Sequence, residues 1–261
     1  MYHAGESMTR NALITGASSG IGRATAIALA QSGYNILAVA RREPQLQELA
    51  VEIATYGVSF SYLVADVTDT SELVAKLPTF ISGKNIDVLV NNAGLALGLD
   101  KSWEVPLEDW HTMIDTNCKG LVTVTRLVLP KMVEQNSGLI VNIGSIAGNW
   151  PYPGGNVYGA TKAFVEQFSY NLRCDLQGTK VRVTNLGPGM TDGNEFSLTR
   201  FSGDMERAKH VYRNTTPLMS EDIAKTISWI ASLPEHVNVN QLEIMPTDQS
   251  WLGFYINRDG K

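Results

Sequence analysis

"TGASSGIG" runs from Thr15 to Gly22, between the apolar run Ala12 to Thr15 and an amphipathic segment that continues to Gln31. Its glycines, Gly16, Gly20 and Gly22, follow a G-x-x-x-G-x-G spacing. A strand that turns into a helix through glycines brings bare backbone close to an anion, and the free N–H groups of the helix N-terminus face it. Side chains at those positions would block the approach. The competing reading is a glycine-rich turn that only joins two elements. The strand before it and the helix after it favour a pyrophosphate-binding turn, which an isolated glycine pattern would not.

The rest of the chain repeats the same alternation. Short β-branched runs read as strands at Ala12 to Thr15, Asn35 to Ala40, Phe60 to Asp66, Asp87 to Asn92, Leu139 to Ser145, Lys180 to Leu186 and Gln241 to Met245. Amphipathic stretches between them read as helices at Ile21 to Gln31, Pro44 to Tyr56, Ser71 to Ile81 with Pro78 disturbing its end, Pro106 to Glu134, Val157 to Leu176 and Glu221 to Leu233. Strands that are apolar on both faces belong in a parallel sheet covered on both sides. Right-handed crossovers then give a single α/β, doubly wound (Rossmann) domain, with a mostly parallel seven-stranded sheet, helices on both faces and ligands at the carboxyl ends of the strands.

Composition fits one such domain. The 261 residues are 44% hydrophobic and 18% charged, and no repeat or low-complexity block divides them. Residues 1–7 read as a tail, Met8 as a candidate start and 8–261 as the domain. The net charge of −5, with no Lys/Arg run longer than a pair, lacks the basic footprint of a nucleic-acid or anionic-membrane binder. No apolar run approaches the roughly 20 residues that span a bilayer, and no signal peptide is visible. Cys118 and Cys174 read as reduced thiols of a cytoplasmic protein, and no metal site is expected. The partners implied are small molecules.

Cofactor choice in such folds is read at the end of the second strand. An acid there would bind the ribose hydroxyls of NAD, but the sequence is "AVARREP", with Ala40 in that place and Arg41 and Arg42 after it. Guanidinium groups suit the additional phosphate of NADP; the alternative is a solvated pair beside Glu43. Asp66, in "ADVTD", either takes the adenine amino group or caps a helix.

Further along stand "NNAG" (Asn91 to Gly94), Asn117 in "DTNCKG", Ser145 in "NIGSIAG", and Tyr158 and Lys162 in "GGNVYGATKAF". A glycine turn of this spacing, N-N-A-G, a serine and Y-x-x-x-K in this order resemble the short-chain dehydrogenase/reductase family over nearly the whole chain. The resemblance implies Ser145, Tyr158 and Lys162 as the catalytic set with Asn117 in support. It further implies a cofactor bed of Gly16, Ser18, Ser19, Gly20, Ile21, Gly22, Arg41, Arg42, Asp66, Val67, Asn92, Ala93, Gly94, Pro188 and Gly189, with Tyr158 and Lys162 reaching the nicotinamide ribose. It also implies a homotetramer or dimer built on the two long helices.

The chemistry explains the residue types. Hydride delivered to a carbonyl leaves charge on oxygen, so reduction needs a proton donor and oxidation a base. A phenol serves as both, but its pKa near 10 is high for a base at neutral pH. An ammonium roughly 4 Å away is worth about 4 kcal/mol, or about three pKa units, at an effective dielectric of about 20. Tyr158 and Lys162 lie four apart on one helix face, so Lys162 is expected to bring Tyr158 near neutrality. Ser145 is expected to hydrogen-bond the oxyanion, and Asn117 to hold a water that returns protons to Lys162. The four histidines are scattered, and neither G-x-S-x-G nor H-E-x-x-H occurs.

The loop "NWPYPGG" and the segment 187–213 are expected to border the substrate, with Trp150 and Tyr152 as wall residues. "GNVYGATKAF", the "TRF" after "EFS" and "NQLEIMPTDQSW" resemble the NADP-dependent 3-hydroxy acid dehydrogenase group, also described as serine or L-allo-threonine dehydrogenases, with substrates of the 3-hydroxypropionate or malonic semialdehyde type. Gly187 in "LGPGM" departs from that group, which carries an acid there. The runners-up are a broad aldehyde and ketone reductase and, from a different class, a non-catalytic NADP sensor. Arg200 is the candidate carboxylate anchor; its alternative is a surface arginine paired with Glu195 or Asp204.

Overall fold

A computed structural model describes residues 10–193, 195–251 and 256. The expected tail of residues 1–7, the candidate start Met8 and residues 252–255 and 257–261 of the expected domain lie outside the described residues. The chain begins with β1 (Arg10–Thr15), α1 (Gly20–Gln31), β2 (Tyr34–Ala40), α2 (Glu43–Ala54), β3 (Phe60–Val64), α3 (Thr70–Phe80) and β4 (Val88–Asn91). It continues with α4 (Leu107–Ile114), α5 (Leu121–Gln135), β5 (Gly138–Ile143), α6 (Asn156–Asp175) and β6 (Val181–Pro188). The last part holds β7 (Thr191–Asp192), α7 (Phe196–Arg200), α8 (Met205–Val211), β8 (Leu218–Met219), α9 (Ser220–Ser232) and β9 (Gln241–Ile244).

Seven strands pair in the order β3-β2-β1-β4-β5-β6-β9, all parallel. Their alternating side chains feed two cores, which is why the strands read as continuous apolar runs. Ala12, Ile14, Ile36, Ala38, Val88 and Val90 face one core, closed by α1, α2 and α9. Leu13, Leu37, Val39, Leu89 and Ile140 face the other, closed by α3, α5 and α6. Strand order reverses direction between β1 and β4, so the loops after those two strands part and leave a crevice at their carboxyl ends.

Of three local features, the first and third differ from the sequence reading and the second agrees with it. The stretch Pro106 to Glu134 is not one helix: between α4 and α5 lies a π-helical turn, Asp115–Gly120. The wider turn lets Gly120 sit hard against β3's exit, where an added Cβ would lie 2.9 Å from the Val67 carbonyl oxygen, and such turns concentrate at functional sites. Second, the helix expected over Ser71 to Ile81 is α3, and Pro78 stands in its last turn, where it lacks the N–H that would bond the Val74 carbonyl, as the expected disturbance of that end implies. Third, the segment after β6 is structured, since α7 and α8 follow a short parallel pairing of β7 with β8. No described helix is long and apolar enough to cross a membrane.

Candidate active site

A cavity of about 620 Å³ opens along the carboxyl ends of the sheet. Its floor is the glycine turn. Gly16 and Gly20 have φ of +67° and +53°, a left-handed backbone that suits glycine. Gly16, Ser18, Ser19, Gly20 and Ile21 line the cavity. Gly22 does not; it lies beneath, where any Cβ would run into the Gly16 carbonyl oxygen and Asn92 Nδ2. Its expected cofactor contact is thus corrected to a packing role that lets α1 approach the turn. The neighbouring loop is tied down by Asn92, whose Nδ2 donates to the Thr15 carbonyl at 3.0 Å, and by Thr15 Oγ1, which accepts from Asn92 N and Ala93 N at 3.0 and 3.1 Å.

At the adenosine end stand the two arginines. Arg42 presents both Nη atoms to Glu195, with Nη1 to Oε1 at 3.0 Å and Nη2 to Oε2 at 2.8 Å. Its other edge, Nε and Nη2, reaches Ser18 Oγ at 3.3 Å. Arg41 Nη1 lies 3.3 Å from Asp66 Oδ2. Glu43 is not their partner, as it accepts from the Tyr62 hydroxyl at 3.0 Å. Asp66 is no helix cap: Oδ1 accepts from Thr68 N and Oγ1, while Asp69 caps α3 through Glu72 N at 2.8 Å. Burial works against the Asp66 carboxylate, but these Thr68 bonds and the Arg41 charge overcome it and hold its pKa below the usual value. Val67 lines the same cavity, and so do Gly94, beside Lys162 Nζ, and Pro188 and Gly189, beside Ser145.

The chemical end is built by β5, α6 and the segment after β6. Ser145 leaves β5 into a 3-10 turn, Ile146–Gly148; its Oγ accepts from Ala147 N at 3.1 Å and donates to the Pro188 carbonyl at 3.5 Å, on the same wall as the Tyr158 phenol. One face of α6 brings Tyr158 and Lys162 to the same wall, both buried. The expected tuning of the pair is not what the structure holds. Burial dominates and pushes the Tyr158 phenol up to about 12, opposed by the charge of Arg200 and by the Ser145 hydroxyl. Burial likewise draws Lys162 down to about 8. Lys162 Nζ donates to the Ile143 carbonyl at 2.8 Å and sits 5.8 Å from the phenol's ring centre, so its charge is turned toward β5.

The cation facing the phenol is Arg200. Its guanidinium carbon lies 5.2 Å from the ring centres of both Tyr158 and Phe196, and Nη2 donates to the Tyr152 hydroxyl at 2.6 Å. Arg200 Nε is buried without a hydrogen-bond partner among the described residues. Neither acid considered for it is engaged with it: Glu195 grips Arg42, and Asp204 caps α8 through Glu206 N and Arg207 N. A buried donor left open in this way costs free energy unless a ligand meets it.

Asn117 and Trp150 lie off the cavity wall. Asn117, 1% exposed at the π turn, has both amide hydrogens and its oxygen engaged: Nδ2 donates to the Leu95 carbonyl at 2.8 Å and to Thr161 Oγ1 at 3.0 Å, and Oδ1 accepts from Leu95 N at 2.9 Å. Its side chain therefore clamps the Leu95 loop to α6, and its amide is already engaged where the expectation had it holding a water. Trp150 is corrected outright. Its N–H closes a turn on the Ile146 carbonyl at 2.9 Å, and its indole packs outside against Trp251, with ring centres 6.3 Å apart. The sequence reading missed Phe196, Met190, Tyr212 and Gln249, which line the cavity. The first three lie in the segment singled out as a substrate border; Gln249, which accepts from Met190 N at 2.7 Å, lies in the stretch "NQLEIMPTDQSW" that was singled out only for its resemblance.

Comparison with known proteins places these features in context. Residues 10–200 match a family model described as short chain dehydrogenase. An NADP-dependent 3-hydroxy acid dehydrogenase from Salmonella typhi is 52% identical over 246 residues, covering 94% of this chain and 98% of the relative. A sulfoacetaldehyde reductase from Chromohalobacter salexigens is 53% identical over 251 residues, covering 95% of this chain and 98% of its own. Among solved structures, the closed form of a serine dehydrogenase complexed with NADP+ superposes with a TM-score of 0.86 at 50% identity, covering 95% of this chain and 99% of that one.

Proposed function

This chain belongs to the short-chain dehydrogenase family, and from that premise we propose that it is an NADP-dependent oxidoreductase acting at the 3-position of short 3-hydroxy acids or β-hydroxy amino acids. The observation that carries the substrate class is Arg200, a cation 5.2 Å from the Tyr158 ring with a buried, unpartnered Nε. A substrate with an anionic group close to its carbinol would satisfy the guanidinium and the phenol at once. A neutral alcohol would leave the guanidinium unmet.

The fit to the dinucleotide rests on the left-handed Gly16 and Gly20, the Ser18 and Ser19 hydroxyls at the start of α1, and Arg41 and Arg42 at the adenosine end. When bound, NADP supplies or accepts the hydride. The chain's own residues handle the rest. Tyr158 donates its proton to the oxygen in reduction and takes one from the hydroxyl in oxidation. Ser145 holds that oxygen in line, Lys162 lies behind the phenol, and Asn117 keeps the Leu95 loop against α6. Residues 187–213 form the cover over the reacting groups.

The test is an initial-rate survey with NADP(H) across serine, allo-threonine, 3-hydroxypropionate, malonic semialdehyde and neutral alcohols and aldehydes of equal length. Neutral substrates turning over as well as the acids would defeat the reading and favour a broad aldehyde and ketone reductase. The similarity to a sulfoacetaldehyde reductase supports a second reading in which Arg200 meets a sulfonate, so sulfoacetaldehyde belongs in the survey.

Cofactor preference has its own expected result. Charge-assisted hydrogen bonds are worth roughly 1.5–3 kcal/mol each when well formed, and less where solvent screens them. With Arg41 69% and Arg42 39% exposed at the side chain, the double variant R41A/R42A should weaken NADP about ten-fold and leave NAD unchanged. Titration of both cofactors against both proteins checks this, and equal wild-type Kd values would end the assignment.

The pH profile follows from the shifts. A phenol raised to about 12 is the donor form at neutral pH and becomes a base only as pH rises. Oxidation kcat/KM should therefore climb between about pH 7 and 10, while reduction, whose donor is the same phenol, should change little over that range. An oxidation limb that is flat over this range would contradict the role given to Tyr158.

A further inference from the structure

The acid on Arg42 has no place in the chemistry above. Glu195 directly precedes α7, yet its side chain makes no cap to that helix. It reaches across the cavity mouth, over 153 residues of chain, to take both Nη atoms of Arg42. The Arg42 hydrogen bond is the largest influence holding its carboxyl below the usual range. Arg42 in turn touches Ser18 with its second edge at 3.3 Å. Glu195 therefore sits among the donors of the phosphate-binding turn and the adenosine-end arginine.

We propose that Glu195 is a specificity-determining residue that tempers the preference for NADP over NAD, by holding the Arg42 guanidinium that the 2′-phosphate needs. This rests on the reading that Arg42 meets that phosphate. A guanidinium has two hydrogen-bonding edges. The terminal one is filled by a carboxylate and the lateral one by a neutral hydroxyl at long range. A phosphate that displaces Glu195 must break a bidentate ion pair. One that takes the lateral edge instead stands beside a carboxylate with which it shares one cation. Both routes oppose the phosphate, and NAD, which lacks it, meets neither.

The exchange also touches the substrate side. Glu195 begins the short helix whose last residue is Arg200, so the two ends of α7 carry one group aimed at the adenosine end and one at the reacting end. An anion that takes Arg42 from Glu195 removes one tether of the covering segment.

The test uses E195Q, which keeps the side-chain shape and removes the charge. Binding of NADP, NAD, 2′,5′-ADP and 5′-AMP is measured on wild type, E195Q and the double variant R42A/E195Q. E195Q should tighten NADP and 2′,5′-ADP about two- to five-fold, in keeping with a half-exposed ion pair, and leave NAD and 5′-AMP unchanged. With Arg42 also removed, the gain should disappear. Weaker NADP binding by E195Q would overturn the proposal and make Glu195 a support for Arg42. An equal change for NAD and NADP would overturn it as well, since the effect would then be on the turn and not on the phosphate. If the wild-type protein binds NADP no better than NAD, the cofactor reading itself falls, and this inference with it.

Discussion

Replacing Tyr158 with phenylalanine should lower turnover about 10²–10⁴-fold in both directions, the usual worth of a positioned acid or base, while the Kd for NADP stays within error of wild type. The variant keeps the ring that packs against Phe196, with centres 5.7 Å apart, and removes only the hydroxyl that faces the cavity. The helix that carries it is held elsewhere, by Phe168 and Leu172 in the core shared with the sheet and by Ser169 Oγ, which accepts from Asn142 Nδ2 of β5 at 2.9 Å. The fold and the dinucleotide bed should therefore survive, and the loss should fall on kcat. The measurement is steady-state kinetics beside a cofactor titration. A variant with wild-type kcat would remove Tyr158 from the chemistry, and a variant that fails to bind NADP would mean that the hydroxyl anchors cofactor.

Arg200→Met should raise KM for acidic substrates by tens of fold or more, consistent with roughly 2–5 kcal/mol for truncating one partner of a buried charge pair. Neutral alcohols of the same length should be nearly indifferent. The methionine preserves much of the stem that packs against Phe196 and removes the fork, so the Tyr152 hydroxyl loses its 2.6 Å donor. That loss falls on both substrate classes and sets the baseline against which the acid-specific effect is read. The variant also removes the cation that opposes the upward push of burial on Tyr158. The alkaline limb of oxidation should accordingly move to higher pH with every substrate. Equal KM losses on acidic and neutral substrates would make Arg200 a shaping residue of the cover and send the search for the anion site elsewhere.

The two arginine sites differ in how legible they were. Arg41 and Arg42 follow directly from their position after β2, because strand ends in a doubly wound sheet are fixed by local sequence. Arg200 was visible only as one of two alternatives, a surface ion pair or an anchor. What separates them is where Glu195 and Asp204 spend their carboxylates, one on Arg42 and one on the first turn of α8. Asn117 was expected in the site, and the structure places its side chain off the cavity wall, since nothing in "DTNCKG" announces a π turn or the Leu95 loop that occupies its amide.

By itself the sequence determined the alternation of strands and helices, the parallel sheet, the glycine turn and the placing of Tyr158 and Lys162 on one helix face, while Ser145 entered beside them through the family resemblance. The first of these depend on periodicity, on backbone freedom at Gly16 and Gly20, and on i,i+4 spacing along α6, all of which act over a few residues. The tertiary structure alone decided which charges face which groups. It turned Lys162 toward the Ile143 carbonyl and set Arg200 over Tyr158. It swung Trp150 out to Trp251 and carried Glu195 to Arg42. The reason is physical: hydrogen bonds and ion pairs choose among all donors and acceptors that folding brings within about 3 Å. For residues 153 positions apart that choice exists only once the chain has closed around the cavity.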